Sequence, residues 1–159
     1  MTQDEIYMSE ALTLAREAAK ADEVPVGAII VRDGEIIARA YNRRETDKCA
    51  TSHAEVLAIE DACKRLGGWR LPRAVMYVTL EPCPMCAGAL INARVERVVY
   101  GASDLRFGAL GSLFDLSALP LNHKLEVSRG VLGDECRELI SGYFKAKRVK
   151  GAGSEDKIS

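Results

Sequence analysis

The chain has 159 residues, enough for one domain with a substantial core and too few for two ordinary ones. Lys and Arg number 22 against 23 Asp and Glu, a formal net charge of −1, so a nucleic-acid partner has to be gripped by a local basic patch and not by bulk charge. An apolar fraction of 48% excludes wholesale disorder, and no apolar run approaches the roughly 18 residues that cross a membrane.

The acidic opening Met1-Thr2-Gln3-Asp4-Glu5 leads into a charge-broken segment, unlike a signal or transit peptide. The five cysteines, Cys49, Cys63, Cys83, Cys86 and Cys136, are an odd number without export features, which points to reduced thiols in the cytoplasm.

In chain order, Tyr7, Ala11, Leu14 and Ala18, with Met8, Leu12, Ala15 and Ala19, give one wide apolar stripe and predict a helix from about Ile6 to Ala19. Val26 to Val31 and Glu35 to Tyr41 read as strands of a hairpin turned at Asp33-Gly34. Arg43 to Cys49 is polar and reads as a loop. Ser52-His53-Ala54-Glu55 opens a second helix whose stripe is Val56, Ile59, Cys63 and Leu66 and whose end is Gly67-Gly68. Ala74 to Leu80 is a third strand; Pro84 then starts another helix. Arg97 to Tyr100 is a fourth strand and Leu125 to Val127 a weak fifth, separated by the glycine-containing segment 101–122. Asp134 is the expected cap of a final helix reaching about Val149, with Cys136, Ile140 and Tyr143 on one face. The order α-β-β-α-β-α-β-loop-β-α indicates a layered α/β domain over residues 1–150, followed by a small, polar tail at 151–159 expected to be disordered.

The chemistry is concentrated in His53-Ala54-Glu55 and, thirty positions on, Pro82-Cys83-Pro84-Met85-Cys86. Both fall at predicted helix N-termini, where free N–H groups and the positive end of the helix dipole favour a metal-binding thiolate. His53, Cys83 and Cys86 supply three zinc ligands and leave the fourth tetrahedral position to water, whose pKa the metal lowers towards about 7. Glu55, on the same first turn as His53, is placed to act as general acid and base. H-x-E with P-C-x-x-C is the known signature of zinc nucleobase deaminases, and these residues match it as a pattern. Three other readings stand beside it. Ser52 and Glu55 fit a helix capping box. Cys49 or His123 can close a structural zinc site as a fourth ligand. Cys83 and Cys86 locally match a redox pair.

Further stretches extend the match: Val24-Pro25-Val26-Gly27-Ala28, Tyr77-Val78-Thr79-Leu80-Glu81-Pro82, Arg97-Val98-Val99-Tyr100-Gly101-Ala102, Gly111-Ser112-Leu113 and Asn122-His123-Lys124. With the two metal-ligand motifs they resemble, from about residue 5 to 148, the bacterial tRNA-specific adenosine deaminases of the cytidine deaminase-like superfamily. The resemblance implies a three-layer α/β/α fold around a five-stranded mixed sheet. It implies conversion of the wobble adenosine of a tRNA anticodon, chiefly of an arginine tRNA, to inosine by a homodimer carrying one Zn2+ per subunit. It places Asn42 as a hydrogen-bonding contact to the flipped nucleoside, Val26 and Ala54 against the base, and Asp104 on the backbone or sugar beside it. Arg106 and Phe107 occupy the same contact loop, where relatives usually carry Lys and a smaller residue. Deamination of a free base or nucleoside, cytidine or guanine, is the alternative within the same chemistry. Arg43, Arg44, Arg70, Arg73, Lys145, Lys147, Arg148 and Lys150 are candidates for a phosphate-tracking patch, with Phe107, Tyr143 and Phe144 as candidate stacking residues.

Overall fold

The hairpin is the first element that the computed structural model, which describes residues 1–151, bears out. β1 (Gly27–Arg32) and β2 (Glu35–Tyr41) pair antiparallel, and both turn residues, Asp33 and Gly34, have positive φ (52° and 77°), as a tight turn of this hand requires. β3 (Ala74–Leu80) lies antiparallel to β1 on its other side. β4 (Arg97–Ala102) and β5 (Glu126–Arg129) follow in parallel, giving the mixed five-stranded order β2-β1-β3-β4-β5.

Parallel neighbours need a crossover and not a tight turn. α4 (Pro84–Asn92) supplies it between β3 and β4. Residues 103–125 supply the one from β4 to β5, an irregular path with a single 3-10 turn at Leu116–Ala118. Ala109, Leu110 and Leu125 sink from this path into the same core as α4, so it is packed structure and not a free loop.

Strand side chains alternate between two cores. Ile29, Tyr77 and Val99 meet Met8, Ala11 and Leu12 of α1 (Gln3–Lys20) and Cys136 of α5 (Gly133–Lys150). Ile30, Met76 and Val98 meet α4 and α3 (Ala54–Leu66). Helices therefore cover both faces, which is why β1, β3 and β4 read as almost continuous apolar runs. This is the expected three-layer α/β/α arrangement. At Gly27 a β-carbon would collide with the Ala11 carbonyl of α1, so the closeness of helix to sheet demands glycine there.

Three local expectations need correction. The 43–49 stretch contains a one-turn helix, α2 (Arg44–Asp47), stopped by Lys48 in the left-handed region. α3 turns its small residues Ala54, Ala58 and Ala62 to the core with Glu55 and Ile59, while Val56 and Cys63 are only half-buried and Leu66 is exposed, because alanine lets the helix lie closer to the sheet. Asp134 does not cap α5, which begins at Gly133 behind Leu132, so that Asp134 lies inside the first turn. Gly151 caps the other end of α5, and the rest of the expected tail, 152–159, lies outside the described residues.

Asp4 joins α1 to the sheet. It accepts hydrogen bonds from Arg97 at 2.7 and 3.2 Å and from the Tyr77 hydroxyl at 2.7 Å. The Arg97 guanidinium, with help from Tyr77, holds the Asp4 carboxyl below its ordinary pKa against the opposing effect of burial. Asp4→Asn should lower the unfolding free energy by about 1–3 kcal/mol at neutral pH. Because the folded-state pKa is depressed, this contribution is present above the unfolded value of about 3.9 and is lost as pH falls through the folded value. Urea melts at pH 7 and pH 3 should show the gap between the two proteins closing in acid; an unchanged gap contradicts the assignment.

Candidate active site

β2, β3 and β4 all run in the same direction, because β1 lies antiparallel to both β2 and β3 and β4 is parallel to β3. Their C-terminal ends share one edge of the sheet, the usual place for a ligand site in an open α/β fold. Asn42 follows β2, Cys83 follows β3 and Asp104 follows β4.

His53 is the N-cap residue of α3 (φ −75°, ψ 152°) and Cys83 that of α4 (φ −76°, ψ 174°), with Pro84 suited to the first helical position behind it. Neither side chain caps its own helix. They turn to each other instead: His53 Nδ1 is 3.8 Å from Cys83 Sγ and 3.5 Å from Cys86 Sγ, and all three donor atoms lie within 4.8 Å of one another. Tetrahedral zinc with ordinary bond lengths spaces imidazole nitrogen and thiolate sulfur about 3.6 Å apart, so the donor set fits the ion without rearrangement.

Electrostatics agree with that fit. A hydrogen bond from Cys86 and a second from His53 pull the Cys83 thiol down to about 4, while the bond to Cys83 and burial push Cys86 up. Binding of a metal by this donor set must release any proton the ligands still carry. The hydrogen bond to Cys83 raises His53. Glu55, 4% exposed, is lifted by burial to about 7. His53, not Ser52, occupies the N-cap position of α3, so Glu55 is not the far half of a capping box.

Among the described residues the cluster has three ligating side chains. Cys49 is exposed and contacts the Thr51 hydroxyl at 3.3 Å. His123 Nε2 is engaged with the Val95 carbonyl at 2.6 Å. Neither closes the site. Cys136 is buried and Cys63 half-buried, as packed thiols. The redox-pair reading leaves the convergence of His53 and Glu55 on the two cysteines without a role.

The other candidate residues differ in burial and in what they hold. Val26 and Ala54 belong to one packed cluster, and Ala54 stands between His53 and Glu55. Asn42 is buried and tethers backbone on both sides, donating to the Val24 carbonyl and accepting from the Arg44 N–H, both at 3.1 Å; its second amide N–H has no partner among the described residues. The Asp104 carboxylate accepts the N–H groups of Arg106 (3.0 Å) and Phe107 (3.2 Å), which folds the turn and leaves both side chains exposed. Two buried glutamates escaped the sequence reading. Glu81 hydrogen-bonds the 104–112 stretch and Glu23 the start of α2. Glu81 stood in plain sight between an apolar strand and Pro82; Glu23 carried no signal.

The proposed basic patch is divided. Arg43, Arg73 and Lys147 pair with Asp47, Asp33 and Asp22 at 3.1, 3.0 and 2.9 Å. Arg70 and Arg73 precede β3, about 20 Å from the edge that carries the site, so they do not line it. Tyr143 donates to Asp22, whereas Phe107 and Phe144 are exposed.

A three-layer sheet with a His-Cys-Cys centre and a buried glutamate at its strand ends defines a deaminase of the cytidine deaminase-like class. The sequence profile of the MafB19-like deaminases matches residues 2–148. A tRNA-specific adenosine deaminase of Bacillus subtilis (strain 168) is 51% identical over 160 residues, covering 100% of this chain and 99% of that protein. A solved structure from a study of A-to-I editing by tRNA:A34 deaminases at the wobble position superposes with a TM-score of 0.82 at 44% identity, over 84% of this chain and 98% of the other. Guanine deaminase from Nitrosomonas europaea superposes with 0.75 at 29% identity, over 90% and 85% of the two chains. The chain belongs to the MafB19-like deaminase family and, within it, to the tRNA-specific adenosine deaminases.

Cys83→Ala should reduce bound zinc from about one ion per chain to a small fraction of that, as read by metal analysis after gel filtration. Full occupancy in the variant contradicts the ligand assignment. In the unsubstituted protein, zinc affinity should weaken as pH falls from 8 to 6, because the ligands must lose protons to bind.

Proposed function

We propose that this protein hydrolytically deaminates the wobble adenosine of a tRNA anticodon, chiefly of an arginine tRNA, to inosine. The observation that carries the reading is the three-donor centre with Glu55 buried beside it, in a chain 51% identical over its length to a tRNA-specific adenosine deaminase. His53, Cys83 and Cys86 hold one zinc ion per subunit, and the ion, when bound, supplies the Lewis acid that makes a water nucleophilic at neutral pH. Glu55 takes one proton from the attacking water as its oxygen bonds to the amino-bearing carbon and gives that proton to the adjacent ring nitrogen; it then takes the proton of the added hydroxyl and gives it to the amino group, which leaves as ammonia while the C=O bond forms. Water and adenosine thus become ammonia and inosine. A carboxyl lifted to about 7 by burial is suited to both halves of this transfer. Val26 and Ala54 supply an apolar wall for the base, and the second Asn42 amide N–H a hydrogen bond to the nucleoside. Asp104, Arg106 and Phe107 meet the chain beside it.

The guanine deaminase likeness supports a second reading, action on a free base. The two differ in salt dependence: a reaction on RNA slows as phosphate contacts are screened, and one on a neutral base does not. We further propose a homodimer in the cytoplasm. Exposed Met85 of α4 and exposed Leu121 line one surface groove and offer apolar surface for a second copy; light scattering should give twice the chain mass. Among the described residues no helix is long and apolar enough to cross a membrane.

The decisive assay is inosine formation in a synthetic arginine tRNA anticodon stem-loop. Glu55→Ala should lower turnover by about 10²–10⁴-fold with zinc content unchanged. Undiminished turnover in that variant removes Glu55 from the mechanism. Absence of inosine with the zinc-loaded unsubstituted protein, together with turnover of guanine or cytidine, moves the assignment to the free base.

A further inference from the structure

Two carboxylates outside the reaction are almost wholly buried, Glu23 at 1% exposure and Glu81 at 2%. A carboxylate in such a place is strongly unfavourable unless its oxygens are fully hydrogen-bonded. Neither forms an ion pair among the described residues; N–H and hydroxyl groups of α2 surround Glu23 and those of the 104–112 stretch surround Glu81.

Glu81 lies two residues before Cys83. Its Oε1 accepts the Asp104 N–H at 3.0 Å and the Ser112 hydroxyl, and its Oε2 accepts the N–H groups of Leu110 and Ser112 at 3.0 and 3.1 Å. Gly108 is pressed so closely on the carboxyl that a β-carbon there would collide with it. On the other flank, Glu23 Oε1 accepts the Glu45 N–H at 3.0 Å, and Oε2 accepts the N–H and hydroxyl of Thr46 at 2.6 and 2.7 Å. The stretch so held runs on to Ser52, whose carbonyl accepts the Arg43 N–H at 3.0 Å immediately before His53.

We infer that Glu23 and Glu81 are positioning residues, one on each flank of the metal centre. Glu81 fixes the turn Asp104–Phe107 to the segment that carries Cys83. Glu23 fixes α2 and, through it, the stretch between Asn42 and His53. Each carboxylate converts a loop that meets the nucleotide into a part of the rigid site. The inference rests on the proposed reaction for the substrate it positions.

Glu23→Gln and Glu81→Gln keep the side-chain size but turn an NH2 group towards N–H donors. Thr46→Val and Ser112→Ala remove one donor each and leave the carboxylates in place. With rates referred to folded, zinc-loaded protein, the Gln variants should lose about tenfold to a hundredfold in kcat/KM for inosine formation in the stem-loop, mainly as higher KM. The single-donor variants should lose about two- to fivefold in the same sense. A merely structural role lowers Tm and the folded fraction but leaves KM unchanged; that result overturns the inference. If the Gln variants do not fold, the KM of the single-donor variants decides alone. If the unsubstituted protein deaminates only free guanine or cytidine, the functional reading fails and the same KM comparison on that base judges Glu23 and Glu81. Inactivity on all three substrates overturns both.

Discussion

The N-termini of α3 and α4 converge on one point at the edge where β2 and β3 end, and the rest of the site is arranged around that convergence. Two positive helix ends with unpaired N–H groups favour negative charge between them. The Cys83 and Cys86 sulfurs, gathered around His53 Nδ1 at 3.8 and 3.5 Å, are the groups placed to carry it. The sheet dictates the convergence: β1 reverses direction between β2 and β3, so both flanking strands deliver their helices to the same edge.

The same geometry creates a difficulty that the chain resolves with buried carboxylates. Three consecutive strand ends release irregular backbone beside the metal centre, and unpaired N–H groups there would be poorly solvated. Glu81 and Glu23 satisfy several such groups at once. The crossover at 103–125 gains definition in this way and from Leu110 and Leu125 in the core, although it contains almost no regular structure. A long irregular connection in a small domain is most often functional, and this one carries Asp104, Arg106 and Phe107.

The sequence made the metal centre legible because its chemistry demands unusual residues at fixed spacing, and both motifs fell at helix starts marked by Pro84 and by the apolar run after Glu55. The hairpin was legible from Asp33-Gly34, and the strands from their β-branched runs. Less visible was the orientation of α3: alanine is weakly apolar on any pattern count, yet it marks the face closest to the sheet. The one-turn helix α2 had no periodicity to betray it, since it is held by Glu23 from another part of the chain. Glu23 and Glu81 look like any surface glutamate until the loops that bury them are in place. The basic patch illustrates the opposite error, because Arg70 and Arg73 proved to precede β3, away from the sheet edge where Arg43 and Arg44 follow β2.

The central claim is a three-ligand centre with its fourth position open beside Glu55. X-ray absorption at the zinc edge of the metal-loaded protein tests it most directly. The account predicts two sulfurs at about 2.3 Å and two nitrogen or oxygen neighbours at about 2.0–2.1 Å, one of them exchangeable solvent. A third sulfur, or a second imidazole completing a closed shell, would contradict it.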